Sequence, residues 1–234
     1  MMRSDQPPVQ NDVVVFDKAV RLYHSMQLLL LPALWYTAER ELFGLHQYLA
    51  FLLAALLLAR LCWAVIGSKT ARFTDFVPTP GVLWRYLRSP WQTVGHNPLS
   101  ALMILALWLV LLLQFSSGLF ITDDVMFEGP LYGKGTEAWQ SFAGFWHHNG
   151  LDILLGLLAL HVAGALWHQR KGDRVISAIS RGTKSLEAGL VAPRQQPLWQ
   201  YLLLVLLFLA LAHGWLGAAL WQMALSDWQT LLLS

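Results

Sequence analysis

The chain alternates long apolar runs with polar, charge-bearing segments. The runs predict five helical spans, over about 22–38, 45–66, 98–120, 147–168 and 198–223. Each falls within or just past the roughly 17–25 residues needed to cross a bilayer's hydrocarbon core. Asn97-Pro98 opens the third span as a cap followed by proline at the first helical position. Pro32 lies inside the first span and predicts a kink there. The segment 67–96 contains VLWRYLRSPW, in which Val82, Leu83, Tyr86 and Leu87 predict a short helix on the membrane surface.

Lys and Arg orient the spans. With the N-terminus inside, the inner segments hold Arg3, Lys18, Arg21, Lys69, Arg72, Arg85, Arg88, Arg170, Lys171, Arg174, Arg181, Lys184 and Arg194. The outer segments hold only Arg40 and Lys134. Five spans then leave the C-terminus outside, which in a bacterium is the periplasm. The outer segment 121–146 is acidic, with Asp123, Asp124, Glu128 and Glu137 against Lys134.

Composition agrees with a membrane protein. Of 234 residues, 56% are hydrophobic and 13% charged, about half the charge of a soluble domain. A net charge of +2 gives no case for nucleic acid. The N-terminal MMRSDQPPVQNDVVVFDKAVR is too polar for a cleaved signal peptide. The one cysteine, Cys62, allows no disulfide within the chain and no cysteine-ligated cluster. With no CxxCH, a haem here is held without covalent attachment.

The candidate chemistry lies in the histidines. His147 and His161 are 14 residues apart on one apolar helix. At about 100° and 1.5 Å per residue they share a face and stand roughly 21 Å apart along the axis. His24 lies near the inner end of the first span and His46 opens the second at the outer surface. The four form two layers: His46 with His147 outside, and His24 with His161 inside. Facing imidazoles at matched depth supply both axial ligands of a haem iron, and a bundle core is where such a cofactor sits. A lone histidine in a span is ordinarily an interhelical hydrogen-bonding residue; two pairs at two depths favour ligation.

The other polar positions divide between functional and structural readings. Arg60 shares the His46 face near the inner end, which suits an inner-haem propionate or snorkelling to the surface. Arg21, one turn before His24, suits the same propionate role. His168, seven residues past His161, fits a propionate, a quinone or the membrane boundary. His96 reads as an inner-surface residue, His148 as interfacial and His213 as a packing or partner contact. Asp152 lies opposite His161 around the helix, toward another helix or a partner. Gly118 and Gly156 stand where bulk is expected to crowd a planar macrocycle.

The segments FDKAVRLYHS, LHQYLAFLLAALLLARLCWAVIGS, RFTDFV, GHNPLSA, GLFITDDVMFEGPL and HHNGLDILLGLLALHVAGALWH resemble the bacterial cytochrome b561 family. That family includes the b-type subunits of nickel–iron hydrogenases, and the likeness covers about residues 13–170. It implies a four-helix bundle with two b haems, passing electrons between a periplasmic partner and quinone. Position by position, it implies His24, His46, His147 and His161 as the ligands, the same four that the spacing selects. The GLFITDDVMFEGPL segment is most similar to members accompanied by small soluble c-type cytochromes.

The expected fold is all-α and integral to the membrane: a four-helix transmembrane haem-binding bundle plus a fifth C-terminal transmembrane helix. The expected division is a cytoplasmic segment 1–19, a di-haem core 20–170, a basic cytoplasmic linker 171–197, and a fifth helix with a periplasmic tail over 198–234. The expected function is electron transfer between the quinone pool and a periplasmic c-type cytochrome or hydrogenase-like protein, in the inner membrane of a bacterium. The chain then acts as an electron-transfer subunit of a quinone-linked oxidoreductase rather than as a stand-alone enzyme. The alternatives are a haem-free anchor or assembly subunit and a proton or metal transporter, although the chain has neither the repeated halves nor the broken helices typical of transporters.

Overall fold

A computed structural model describes residues 10–91, 93–124, 127–187, 193–216 and 218–233. A short strand β1 (Gln10–Val14) leads into α1 (Lys18–Glu39) and α2 (Phe43–Ile66). Asp17 caps α1 by accepting from Val20 N at 2.7 Å, and its other carboxylate oxygen accepts from Trp63 Nε1 at 2.8 Å. One residue thus starts α1 and ties it to the inner end of α2. Pro32 sits inside α1, as the sequence predicts.

After a 3₁₀ turn (Lys69–Ala71) and the one-turn helix α3 (Phe73–Phe76), α4 spans Pro80–Arg88. Thr79 caps α4 and Pro80 occupies its first position. It is the short helix expected in this segment: Trp84 and Leu87 are exposed while Tyr86 is buried. Next, α5 (Pro98–Gly118) opens as predicted, with Asn97 Oδ1 accepting from Ser100 N at 2.8 Å.

Helix α6 runs Glu137–Arg170, 34 residues. It begins ten residues before the predicted start at 147, so the outer connection is 119–136 rather than 121–146. The polar residues of EAWQSFAGFW conceal a helix that Thr136 caps through Trp139 N at 3.2 Å. His147 therefore lies almost three turns inside α6 rather than at its opening.

Beyond α6, α7 (Val175–Arg181) leads to β2 (Thr183–Glu187). β2 pairs antiparallel with β1, Val13 opposite Lys184, a pairing that the apolar pattern did not predict. It joins the N-terminal segment to the basic linker. Arg21 Nη2 strengthens that join by donating to Ser180 O at 2.6 Å.

The predicted span 198–223 is helical wherever it is described, and the helix runs on to Leu233, ten residues past the predicted end. α8 covers Leu198–Leu216, and α9 covers Ala218–Leu233. α8 packs along α2: Tyr201 Oη donates to Leu56 O at 3.0 Å and its ring meets Trp63 edge-on. α9 lies against the outer end of α2, where a Cβ on Gly44 would stand 2.7 Å from Met223 backbone carbon. Only glycine permits that approach. Asp227 Oδ2 accepts from Leu45 N at 2.9 Å. Leu42, the N-cap of α2, has no side-chain oxygen to offer, so α9 supplies the cap from a distance.

Among the described residues four helices, α2, α5, α6 and α8, are long and apolar enough to cross a membrane. α1 is long enough at 22 residues, but His24, Gln27 and Thr37 dilute its apolar run. α1 packs on α2 and α5 on α6, so the bundle is two helical pairs with α2 most enclosed. Between lipid-soluble helices, close packing and hydrogen bonds hold the bundle, because lipid is as apolar as leucine.

Candidate cofactor site

The two helical pairs bring the four predicted histidines together in the two predicted layers. In the outer layer His46, from the first turn of α2, faces His147 of α6 with ring centroids 6.3 Å apart. In the inner layer His24 of α1 faces His161 of α6 at 6.4 Å. A metal–imidazole bond is about 2 Å and the ring centre lies ~1.1 Å behind its nitrogen, so two imidazoles on one metal stand about 6.2 Å apart. Both pairs have the spacing that two imidazoles holding one metal would need. Among the described residues no three His, Cys, Asp or Glu side chains cluster, so these histidines work in twos.

The outer pair is held by its surroundings. His46 Nδ1 lies 2.9 Å from Leu34 O, and His147 Nδ1 lies 3.0 Å from Gln114 O. A carbonyl only accepts, so each Nδ1 carries its hydrogen and each Nε2 keeps a lone pair for a metal. Thr37 and Ser117 hydroxyls stand 3.3 Å from the same two nitrogens. Gln114 Nε2 also donates to His147 O at 2.7 Å. Gly118 completes the seat, because a Cβ there would lie 2.8 Å from His147 Cε1. Among the described residues neither His24 nor His161 has a side-chain hydrogen bond, so packing alone orients the inner pair.

Arg60 is 2% exposed and so does not snorkel. Its Nη1 donates to Ala71 O at 3.2 Å, and its guanidinium carbon lies 4.8 Å above the Trp108 ring. Arg21 is turned to Ser180, as above. Gly156 differs from expectation: its Cβ position meets nothing within 4 Å. Five helical steps from His161 put it about 140° around α6, away from the paired rings.

The other histidines separate cleanly. His148 Nδ1 turns back to Gly144 O at 2.8 Å and its side chain is exposed, so it is not a member of the outer pair. His213 accepts from Trp221 Nε1 at 2.6 Å, a packing contact. His96 lies between Phe16 and Phe76 rings at 4.8 and 5.8 Å. Burial first, and then the Arg60 cation, push its pKa down to about 3, so the ring is neutral at pH 7. His168 meets Asn97 Nδ2 at 3.3 Å and Asp173 Oδ2 at 3.4 Å. Asp152 is exposed on the face of α6 opposite the pairs.

Sequence reasoning passed over Thr37, Gln114, Ser117, Asp173 and Asp227. Gln114 had a signal, since it interrupts the apolar run LVLLLQF. Asp227 had none, because its partner lies 182 positions away.

Comparison with known proteins agrees with this geometry. Residues 15–182 match the family model of prokaryotic cytochrome b561. A relative from Rhizobium leguminosarum bv. viciae, described as a probable Ni/Fe-hydrogenase B-type cytochrome subunit, is 25% identical over 191 residues. That match covers 65% of this chain and 80% of the relative. No solved structure matches. The matched stretch contains all four paired histidines and the helices that carry them, and the chain is therefore a member of the prokaryotic cytochrome b561 family, a multi-pass membrane b-type cytochrome of electron transfer.

Proposed function

We propose that the chain binds two b haems, one between His46 and His147 and one between His24 and His161. Through them it transfers electrons between the quinone pool and a periplasmic redox protein. The observation that carries this reading is the near-equal ring separation of the two pairs, 6.3 and 6.4 Å, which suits two imidazoles that would hold one iron in each layer. Haem supplies one-electron redox chemistry. The protein's part is to fix the ligands, exclude water and set the local field. Leu34 O and Gln114 O hold the outer imidazoles in the ligating tautomer. Arg60, buried near the inner pair, favours negative charge there and suits a propionate.

The lysine and arginine distribution supports a cytoplasmic N-terminus, so the outer pair faces the periplasm of a bacterial inner membrane. The periplasmic partner is a c-type cytochrome or a hydrogenase-like subunit; the relative's description favours the second. The inner layer is the place for quinone, where Asn97, His96 and His168 offer polar groups beside apolar walls. Domain roles follow: 20–170 is the di-haem core, and 198–234 is an accessory element that braces α2. The test is the absorption spectrum of purified protein, oxidised and then reduced by a short-chain quinol. Haem bands that quinol reduces support the reading. A colourless protein overturns it in favour of an anchor or transporter.

A further inference from the structure

We propose that His168 and Asp173 form a proton relay between the cytoplasm and the quinone, with Asn97 setting its inner end; this rests on the quinone site proposed above. His168 is in the last turn of α6, seven residues beyond His161. It therefore shares the ligand's face, about 10 Å nearer the inner surface. Just past it Gly172 adopts φ +88, a conformation that glycine takes without strain. The chain reverses there, Asp173 N donating to His168 O at 3.0 Å. The turn brings the Asp173 carboxylate back to the ring that precedes it.

The hydrogen-bond directions in this network are determined. Asn97 Oδ1 is committed to Ser100 N, so its amide nitrogen is the atom 3.3 Å from His168 Nε2. That nitrogen donates, so Nε2 has the lone pair. Nδ1 then carries the hydrogen and points it at Asp173 Oδ2, 3.4 Å away. A carboxylate behind an imidazole, with the far nitrogen accepting only from a neutral amide that can yield, is the arrangement of a general base. Lys184 fixes the carboxylate from the other side. Its side chain is 4% exposed, and its ammonium lies 2.5 Å from Asp173 Oδ1 and donates to Thr93 O at 3.1 Å. A buried ion pair of this kind is a poor source of stability, since desolvation offsets most of its attraction. Among the described residues, Lys184 and Tyr86 also act on Asp173. Asp173 itself remains 24% exposed, so the relay opens to water.

Oxidation of a quinol breaks two O–H bonds. Two electrons leave singly toward the inner histidine pair, and two protons must leave the site. The His168 Nε2 lone pair takes a proton as the Asn97 amide yields. Asp173 stabilises the imidazolium. The ring then turns to release its Nε2 proton to cytoplasmic water beside the carboxylate, and turns back with Nδ1 still protonated to take the second proton. Reduction of a quinone runs the same steps in reverse, with both protons drawn from the cytoplasm.

The test uses the full-length haem-loaded protein, with Asp173→Asn and His168→Gln as separate variants. Each is reduced by a short-chain quinol in stopped flow, and by dithionite as a control. The expected result is a tenfold or greater slowing with quinol, an enlarged solvent isotope effect, and unchanged dithionite rates and spectra, with quinol KM unchanged in Asp173→Asn. Nitrogen NMR of histidine-labelled protein gives a second readout: His168 holds its proton on Nδ1, and Asp173→Asn shifts it toward Nε2. If one variant fails to fold, the other carries the test. Equal quinol rates and isotope effects in native and variant proteins overturn the relay while leaving the quinone site standing. A native protein that dithionite reduces and quinol does not overturns the quinone reading and the relay with it.

Discussion

Gly118→Ala and Gly156→Ala make the same chemical change on two helices and test the paired-histidine geometry with opposite expected signs. At Gly118 the added methyl would stand 2.8 Å from His147 Cε1, closer than side-chain carbons approach. His147 cannot simply yield, because Gln114 O and Ser117 Oγ grip its Nδ1 at 3.0 and 3.3 Å. Overpacking of this kind costs about 1–3 kcal/mol. Gly118 is the last residue of α5, so little helix propensity is regained. At about 1.4 kcal/mol per factor of ten, the outer site should hold haem roughly 5- to 150-fold less tightly. At Gly156 the methyl meets nothing within 4 Å. Mid-helix, alanine there gains up to about 1 kcal/mol over glycine. The assay is haem content per chain with a redox titration of each variant. Gly118→Ala should lose or perturb one haem and spare the other, while Gly156→Ala should keep both and melt no lower than native. Two unperturbed haems in Gly118→Ala, or one lost from Gly156→Ala, would refute the assignment of His147 to the outer site.

His147→Ala should strip the outer haem and spare most of the inner one, His161→Ala should do the reverse, and His148→Ala should keep both; difference spectra of the three variants check this. Loss of a haem from His148→Ala alone would move the ligand by one residue. Asp227→Ala frees Leu45 N at the start of α2, so it should cost the ~1 kcal/mol of a lost N-cap. The readout is a lowered melting temperature with earlier loss of the outer haem, and an unchanged melt would mean that α9 does not brace His46. Replacing Asp123, Asp124 and Glu128 with amides should slow encounter with a cationic periplasmic partner and flatten its salt dependence, since such steering weakens as the Debye length falls below about 10 Å. Equal rates at low and high salt, with and without the charges, would exclude the outer loop as an electrostatic dock.

Much of the site is legible in the sequence because membrane depth is nearly one-dimensional. Once the lysine and arginine bias orients the spans, residue count fixes the height of each histidine, and the layers pair without knowledge of helix packing. His147 and His161 also share a face by helical arithmetic, and they do so in the structure. What eludes the sequence depends on the third dimension or on locally ambiguous composition. The first ten residues of α6 mix Glu137, Gln140 and Ser141 with aromatics, so their pattern resembles a loop until Thr136 is seen as the cap. The β1–β2 pairing joins segments some 170 residues apart, and neither strand alternates strongly enough to announce itself. The extension of the last helical stretch to Leu233 depends on where α9 meets Gly44 and Leu45. Arg60 was expected to head either for a propionate or for the surface. Its burial excludes the surface, and its partners, Trp108 and the Ala71 carbonyl, are ones that its own sequence neighbourhood does not reveal.

The most direct measurement of the central claim is haem stoichiometry and ligation on one sample: haem and protein quantified together, with low-temperature electron paramagnetic resonance of the oxidised form. Two b haems per chain, each with a low-spin signal typical of two imidazole ligands, are the predicted result. One haem per chain, none, or a high-spin iron lacking its second histidine would contradict it.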